Sequence, residues 1–199
     1  MATRTVAELR TFLDVRGDDR LYPLWHLLAS TGMRRGEALG LAWRDLDAEA
    51  GRLVIARAWV ATVSGEAAMQ APKTSHARRQ VALDSATVAV LAAWRRTQVA
   101  ERLAVGAAYA DTDLIFCRAD GRAYSPAYIS ARFKAAVKAA TGLPVIRLHD
   151  LRHTHASLLL QQGAHPKVVS ERLGHVSTAF TMDTYQHTTP ALHADGRSL

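Results

Sequence analysis

Five runs with helical apolar spacing end on a glycine, at Gly17, Gly32, Gly142, Gly163 and Gly174. A glycine just past the last periodic residue adopts the left-handed conformation that closes a helix, so each is read as a stop. Proline supplies the opposite mark, and the Ser125-Pro126 pair and Pro166 each open a helix. Stops and starts this frequent predict a succession of short helices. Thr5 and Glu8 form a capping-box pattern ahead of Val6, Leu9, Phe12 and Leu13. An apolar helix over 21–30 follows, and then a third whose inward face includes Leu39 and Trp43. Asp84 or Ser85 caps a long helix through Val105, the Ser125-Pro126 start runs through Ala140, and helices over 148–162, 166–173 and 178–187 complete the set.

One section departs from helical spacing. Residues 52–63 are rich in β-branched and aromatic side chains, and residues 80–83 form a second short run of that kind, with a polar, basic turn over 72–79 between them. Residues 113–116 read as a short buried strand leading into Cys117. The expected fold is mainly α with a small antiparallel β-sheet. With 199 residues, no internal repeat and no low-complexity linker, the chain reads as a single domain over 1–199.

Composition narrows the partners. The net charge is +7 and the pI about 10.1, which favours a polyanion, above all nucleic acid. Lys73, Lys134, Lys138 and Lys167 are the only lysines among the 25 cations, so arginine, the side chain suited to bidentate phosphate contacts, supplies the rest. An Ala- and Arg-rich genome accounts for such an excess equally well, so composition alone does not decide. The lone cysteine, Cys117, has no partner for a bridge within the chain, which reads as a reducing, cytoplasmic setting. No apolar stretch nears the roughly 20 residues of a membrane helix. RNA binding calls for exposed aromatics on which bases stack, and the sequence has no aromatic ladder.

Three segments concentrate phosphate-binding and proton-transfer side chains. In Thr31-Gly32-Met33-Arg34-Arg35-Gly36-Glu37 an arginine stands at a helix N-terminus, beside orphan amides that also favour an anion, although an arginine near Glu37 is more often an ordinary ion pair. In Leu148-His149-Asp150-Leu151-Arg152-His153-Thr154-His155, His149 and Arg152 share a helix face. His149 and His153 also have the spacing of a zinc helix. Asp150 stands where such a helix would carry glutamate, however, and no cysteine or carboxylate cluster supplies a third ligand, so no metal is expected. The third segment joins Leu173-Gly174-His175 to Tyr185, ten residues beyond His175. A tyrosine near a chain end is usually a packing residue.

Taken together, these segments resemble the catalytic domain of the tyrosine recombinases, the phage integrase family, over nearly the whole chain. Arg34 matches the first arginine box, Lys73 the hairpin lysine in Pro72-Lys73-Thr74 ahead of Arg78 and Arg79, His149 and Arg152 the His-x-x-Arg box, His175 the Leu-Gly-His box, and Tyr185 the nucleophile. The resemblance implies site-specific DNA recombination through a 3′-phosphotyrosyl intermediate. Arg34 and Arg152 would clamp the non-bridging phosphate oxygens, His149 would act as general base, Lys73 would protonate the leaving 5′ oxygen, and His175 would donate to the phosphate. Glu37 and Asp150 would orient the cations. No cofactor and no metal is implied.

The implied partners are double-stranded DNA, further copies of the chain in a homo-tetramer on DNA, and accessory DNA-bending proteins, in a cytoplasmic, nucleoid-associated setting. Members of the family carry an N-terminal DNA-binding domain that is expected to be absent from this chain, since the match begins almost at Met1, and the resemblance leaves open whether residues 190–199 pack on their own chain or on a neighbouring protomer. A type IB topoisomerase would use the same chemistry, and a silent DNA-binding module the same fold. The Leu-Gly-His box and the size favour recombination over the first, and the six matched residues argue against the second. Arg132, Lys134 and Lys138 face either DNA or solvent, with solvent slightly favoured.

Overall fold

The computed structural model describes residues 4–61, 67–70 and 78–174. Helix α1 (Val6–Val15) opens on the expected capping box, in which the Glu8 amide donates to Thr5 Oγ1 at 3.2 Å and the Thr5 amide to Glu8 Oε2 at 2.7 Å. Its buried Phe12 meets the ring of Phe133 edge-on at 5.6 Å. Helix α2 (Tyr22–Thr31) is buried along most of its length, because its apolar residues run round the cylinder. Trp25 packs edge-on against Phe133 at 5.3 Å. Rings of this size contribute about 1.5–3 kcal/mol each when fully buried, so α2 with these aromatics forms the centre of the domain.

Helix α3 (Arg35–Leu39) is short, and Trp43 lies beyond it in a separate 3-10 turn over Trp43–Asp45. Strands β1 (Leu46–Asp47), β2 (Arg52–Ile55) and β5 (Arg79–Ala82) form an antiparallel sheet in the order β1-β2-β5, with Leu53 opposite Val81. Strands β3 (Ala58–Ala61) and β4 (Ala67–Gln70) pair in a separate two-stranded sheet. The single strand expected over 52–63 is therefore broken at Ala56 and Arg57, and its halves enter different sheets.

Two contacts account for the break. Arg57 turns its guanidinium onto Asp45, with Nη2 2.8 Å from Oδ2. Beyond it the backbone lies directly on α3, where a Cβ on Gly36 would meet the Trp59 carbonyl oxygen at 2.7 Å and one on Gly40 the Arg57 oxygen at 3.0 Å. The two glycines, one turn apart, let β3 approach the helix backbone.

Helix α4 (Ser85–Val105) begins at the Asp84 cap, whose Oδ1 accepts from the Thr87 amide at 2.7 Å. The stretch expected as a strand over 113–116 makes only isolated bridges, Ala42 with Leu114 and Cys117 with Ala123, while Ile115, Phe116 and Cys117 are buried. Helix α5 (Pro126–Ala139) starts from Ser125, whose Oγ accepts from the Tyr128 amide at 3.1 Å. Helices α6 (Asp150–Gln161) and α7 (Pro166–Leu173) follow, and α7 closes on Gly174 at φ 68°. The helix expected over 178–187 lies outside the described residues. No helix among the described residues is long and apolar enough to cross a membrane.

Ala replacing Gly in an open helix adds up to about 1 kcal/mol of stability. At Gly36 the sign should reverse, because the added methyl meets a backbone carbonyl that cannot swing aside. Gly36→Ala is expected to lower stability by about 1–3 kcal/mol in urea unfolding.

Candidate active site

The last turn of α7 leaves carbonyls that no intrahelical amide can reach. Three successive ones are met by arginines from three different elements. Arg79 Nε, from β5, donates to the Arg172 carbonyl at 2.8 Å. Arg152 Nη2, from α6, donates to the Leu173 carbonyl at 2.8 Å. Arg34 Nη2, from the cap of α3, donates to the Gly174 carbonyl at 3.1 Å. The negative end of the helix dipole thus gathers three positive charges, which is the favourable sense of that interaction. His175 is the next residue in sequence.

Glu37 holds two of these arginines. Its Oε1 accepts from Arg34 Nη1 at 2.9 Å and Arg79 Nη1 at 3.0 Å, and its Oε2 from the Arg34 amide at 2.8 Å and Arg79 Nη2 at 2.9 Å. Burial by itself would raise the Glu37 carboxyl, but the hydrogen bonds and charge of Arg79, with those of Arg34, outweigh it and hold the group below its ordinary value. Arg34 remains 44% exposed at its side chain, whereas Arg79 is 8% exposed. Only two of the five N–H donors of the Arg34 guanidinium are spent on these described groups.

Arg152 is buried, and its Nη1 also donates to the Gly32 carbonyl at 2.9 Å. It therefore fastens the end of α2 to the end of α7. Beneath it, Arg172 donates from Nε to His155 Nε2 at 3.1 Å and from Nη2 to the carbonyls of Ser30 and Ala82 at 3.3 and 3.1 Å. Burial, reinforced by the Arg172 charge, lowers His155 to about 4, so that its ring is neutral and accepts.

His149 is the exposed N-cap of α6. Desolvation lowers its pKa first, then the charge of Arg152, with Arg34 and Arg147 adding to the effect against Asp150. The imidazole is thus unprotonated at neutral pH and lies within the field of both Arg152 and Arg34. Its ring meets that of His153 edge-on at 4.9 Å. Asp150 is engaged by Arg147, whose amide and Nη2 donate to Oδ2 and Oδ1 at 2.8 and 2.9 Å. Among the described residues no group of three or more His, Cys, Asp or Glu side chains is arranged to hold a metal.

A groove of about 890 Å³ opens beside this cluster. Arg34, Arg35, Arg147 and His149 line it, Ser130 and Lys134 of α5 face them, and Leu28, Met33 and Phe133 contribute apolar surface. Arg35 Nη1 donates to Ser130 Oγ. Of the residues singled out from sequence, Arg34, Glu37, His149, Asp150 and Arg152 are thus brought to one place. Lys73, His175 and Tyr185 lie outside the described residues. Sequence reasoning missed the arginines that organise the cluster, Arg79, Arg147 and Arg172. Arg79 was visible only as a basic residue at the end of the hairpin, and no periodicity distinguishes it from the exposed Arg78 beside it.

The fold is that of tyrosine recombinase catalytic domains. It overlays the Tn1549 transposon integrase in complex with transposon right end DNA at a TM-score of 0.80 and 20% identity, covering 92% of this chain and 61% of that one. The XerH site-specific recombinase bound to difH substrate overlays at 0.67 and 25% identity, with 92% and 50% covered. In sequence, residues 5–191 match the phage integrase family, and the chain belongs to it. It is 30% identical over 194 residues to a tyrosine recombinase XerC-like protein of Caldanaerobacter subterraneus subsp. tengcongensis, covering 92% of this chain and 49% of that protein. The ICEBs1 integrase of Bacillus subtilis is 30% identical over 187 residues, with 92% and 50% covered. The chain spans about half the length of these curated relatives.

Glu37→Gln should destabilise the chain by about 3 kcal/mol at neutral pH, since it leaves the buried Arg79 charge unpaired. The carboxyl titrates lower in the folded chain than in the unfolded one. Its contribution is therefore complete above the ordinary glutamate range and fades as pH falls through and below that range. Urea unfolding across pH should show the gap between the two proteins closing only in acid.

Proposed function

We propose that this chain carries out site-specific DNA recombination, breaking and rejoining strands through a 3′-phosphotyrosyl bond to Tyr185. The observation that carries the reading is the convergence of Arg34 and Arg152 on consecutive carbonyls at the end of α7, with His149 beside both. A phosphodiester resists attack because its anionic oxygens repel nucleophiles and its alkoxide is a poor leaving group. Paired guanidiniums answer the first difficulty by neutralising charge that grows in the transition state.

A tyrosine has an ordinary pKa of about 10, so attack at neutral pH needs a proton acceptor, and an unprotonated His149 fits that role. Lys73 protonates the departing 5′ oxygen, and His175 donates to the phosphate. Glu37 orients Arg34, and Asp150 orients the cation of Arg147. The covalent bond keeps the energy of the broken one, so rejoining needs no ATP. The substrate is double-stranded DNA, a reading supported by the DNA named with the Tn1549 and XerH relatives, and the active assembly is a homo-tetramer on DNA with accessory DNA-bending proteins.

The test is to mix the protein with a pool of nicked duplexes of randomised sequence and look for a protease-sensitive adduct on a denaturing gel. Tyr185→Phe should abolish the adduct while leaving binding in place; adduct formation by that variant at the parent's rate would sink the proposal. Arg34→Ala should slow formation by an amount on the order of 3 kcal/mol, as for one lost preorganised donor. Because burial and the neighbouring arginines lower His149, the acid limb of the rate profile should lie below the ordinary histidine value.

A further inference from the structure

Arg79 is far more buried than Arg34 and spends all three of its nitrogens on the cluster, two on Glu37 and one on the Arg172 carbonyl. Its side chain is 8% exposed, and with every nitrogen aimed at Glu37 or the α7 terminus its fork is turned toward the protein rather than toward a phosphate. Gly174 is shaped around it. That residue sits at φ 68°, and a Cβ there would lie 2.8 Å from Arg79 Nη1 and 3.0 Å from its Cζ, so the guanidinium lies directly against the turn that leads to His175.

The charge count gives this placement its consequence. Arg34 faces a buried carboxylate at 2.9 Å, and an isolated pair of that kind is neutral, which would blunt its pull on a phosphate. Arg79 at 2.9 Å from the same carboxylate makes the three-residue unit net positive by one charge. It also fills the remaining acceptor positions of Glu37, so the carboxylate is held from both sides and Arg34 is held with it.

Resting on the strand-transfer reading above, we propose that Arg79 is a positioning residue for DNA cleavage: it keeps the Arg34–Glu37 unit positive and correctly set toward the scissile phosphate without touching DNA. The defect caused by its loss should therefore lie in neutralising the phosphate charge. A duplex selected from the nicked pool is prepared in two forms, one with the ordinary phosphodiester and one with an uncharged methylphosphonate at the scissile linkage. On the phosphodiester, Arg79→Met should form adduct about a hundredfold more slowly than the parent chain, the scale of a misplaced clamp. On the methylphosphonate, which needs little charge neutralisation, it should come within about tenfold of the parent.

Arg79→Lys keeps a cation on Glu37 without the fork and should fall between the two; it serves equally well if the methionine variant does not fold. Equal losses on both substrates, in a variant whose thermal unfolding matches the parent's, would assign Arg79 a purely structural role and overturn the inference. A parent chain that forms no adduct on the phosphodiester would instead overturn the strand-transfer reading, and this inference with it.

Discussion

Helix α7 ends in three carbonyls that accept from Arg79, Arg152 and Arg34 in turn, and most of the site's geometry follows from those bonds. A helix C-terminus carries partial negative charge and unpaired acceptors, so guanidiniums gathered there are stabilised twice, by hydrogen bonding and by the dipole. The donors come from β5, α6 and the start of α3, elements far apart in the chain. Drawing them to one helix end brings Arg34, Arg79 and Arg152 to the turn at Leu173 and Gly174.

Three cations in so small a space repel one another, and the surrounding groups offset that repulsion. Glu37 lies between Arg34 and Arg79, and the Gly32 carbonyl takes a second bond from Arg152. The neutral ring of His155 accepts from Arg172 just below. Each arginine is thereby fixed in direction. Preorganised charge of this kind is effective in catalysis because the groups need not reorient as the transition state forms. Buried Arg152 also braces the helix ends, while the more exposed Arg34 lines the groove.

Much of the fold was legible because its signals are local. Thr5 with Glu8, Asp84, Ser125 with Pro126, and the glycines at 32 and 174 mark helix ends through bonds and dihedral angles spanning a few residues. The break between β2 and β3 was not legible, since it depends on Arg57 meeting Asp45 and on Gly36 and Gly40 meeting the backbone of 57–59. Strand β4 escaped notice because its Ala-rich sequence has little strand character of its own. At the site, Arg34, Glu37, His149, Asp150 and Arg152 could be picked out by motif spacing. Asp150 was expected to orient the site's cations, and the partner that its carboxylate engages, Arg147, is three residues away. Arg79 and Arg172 carry no such mark, because an arginine that caps a distant carbonyl looks the same in sequence as one facing water.

The sequence by itself determined most of the helical segments among the described residues and many of their caps and stops, the family, and which residue types are available for phosphate chemistry. These are properties of neighbouring residues or of ordered motifs along the chain. Tertiary structure decided which cations converge, which carboxylate holds which arginine, and how far His149 is shifted from its ordinary pKa. Those outcomes depend on distances between residues up to 140 positions apart and on water removed by packing, and neither quantity is encoded at any single position.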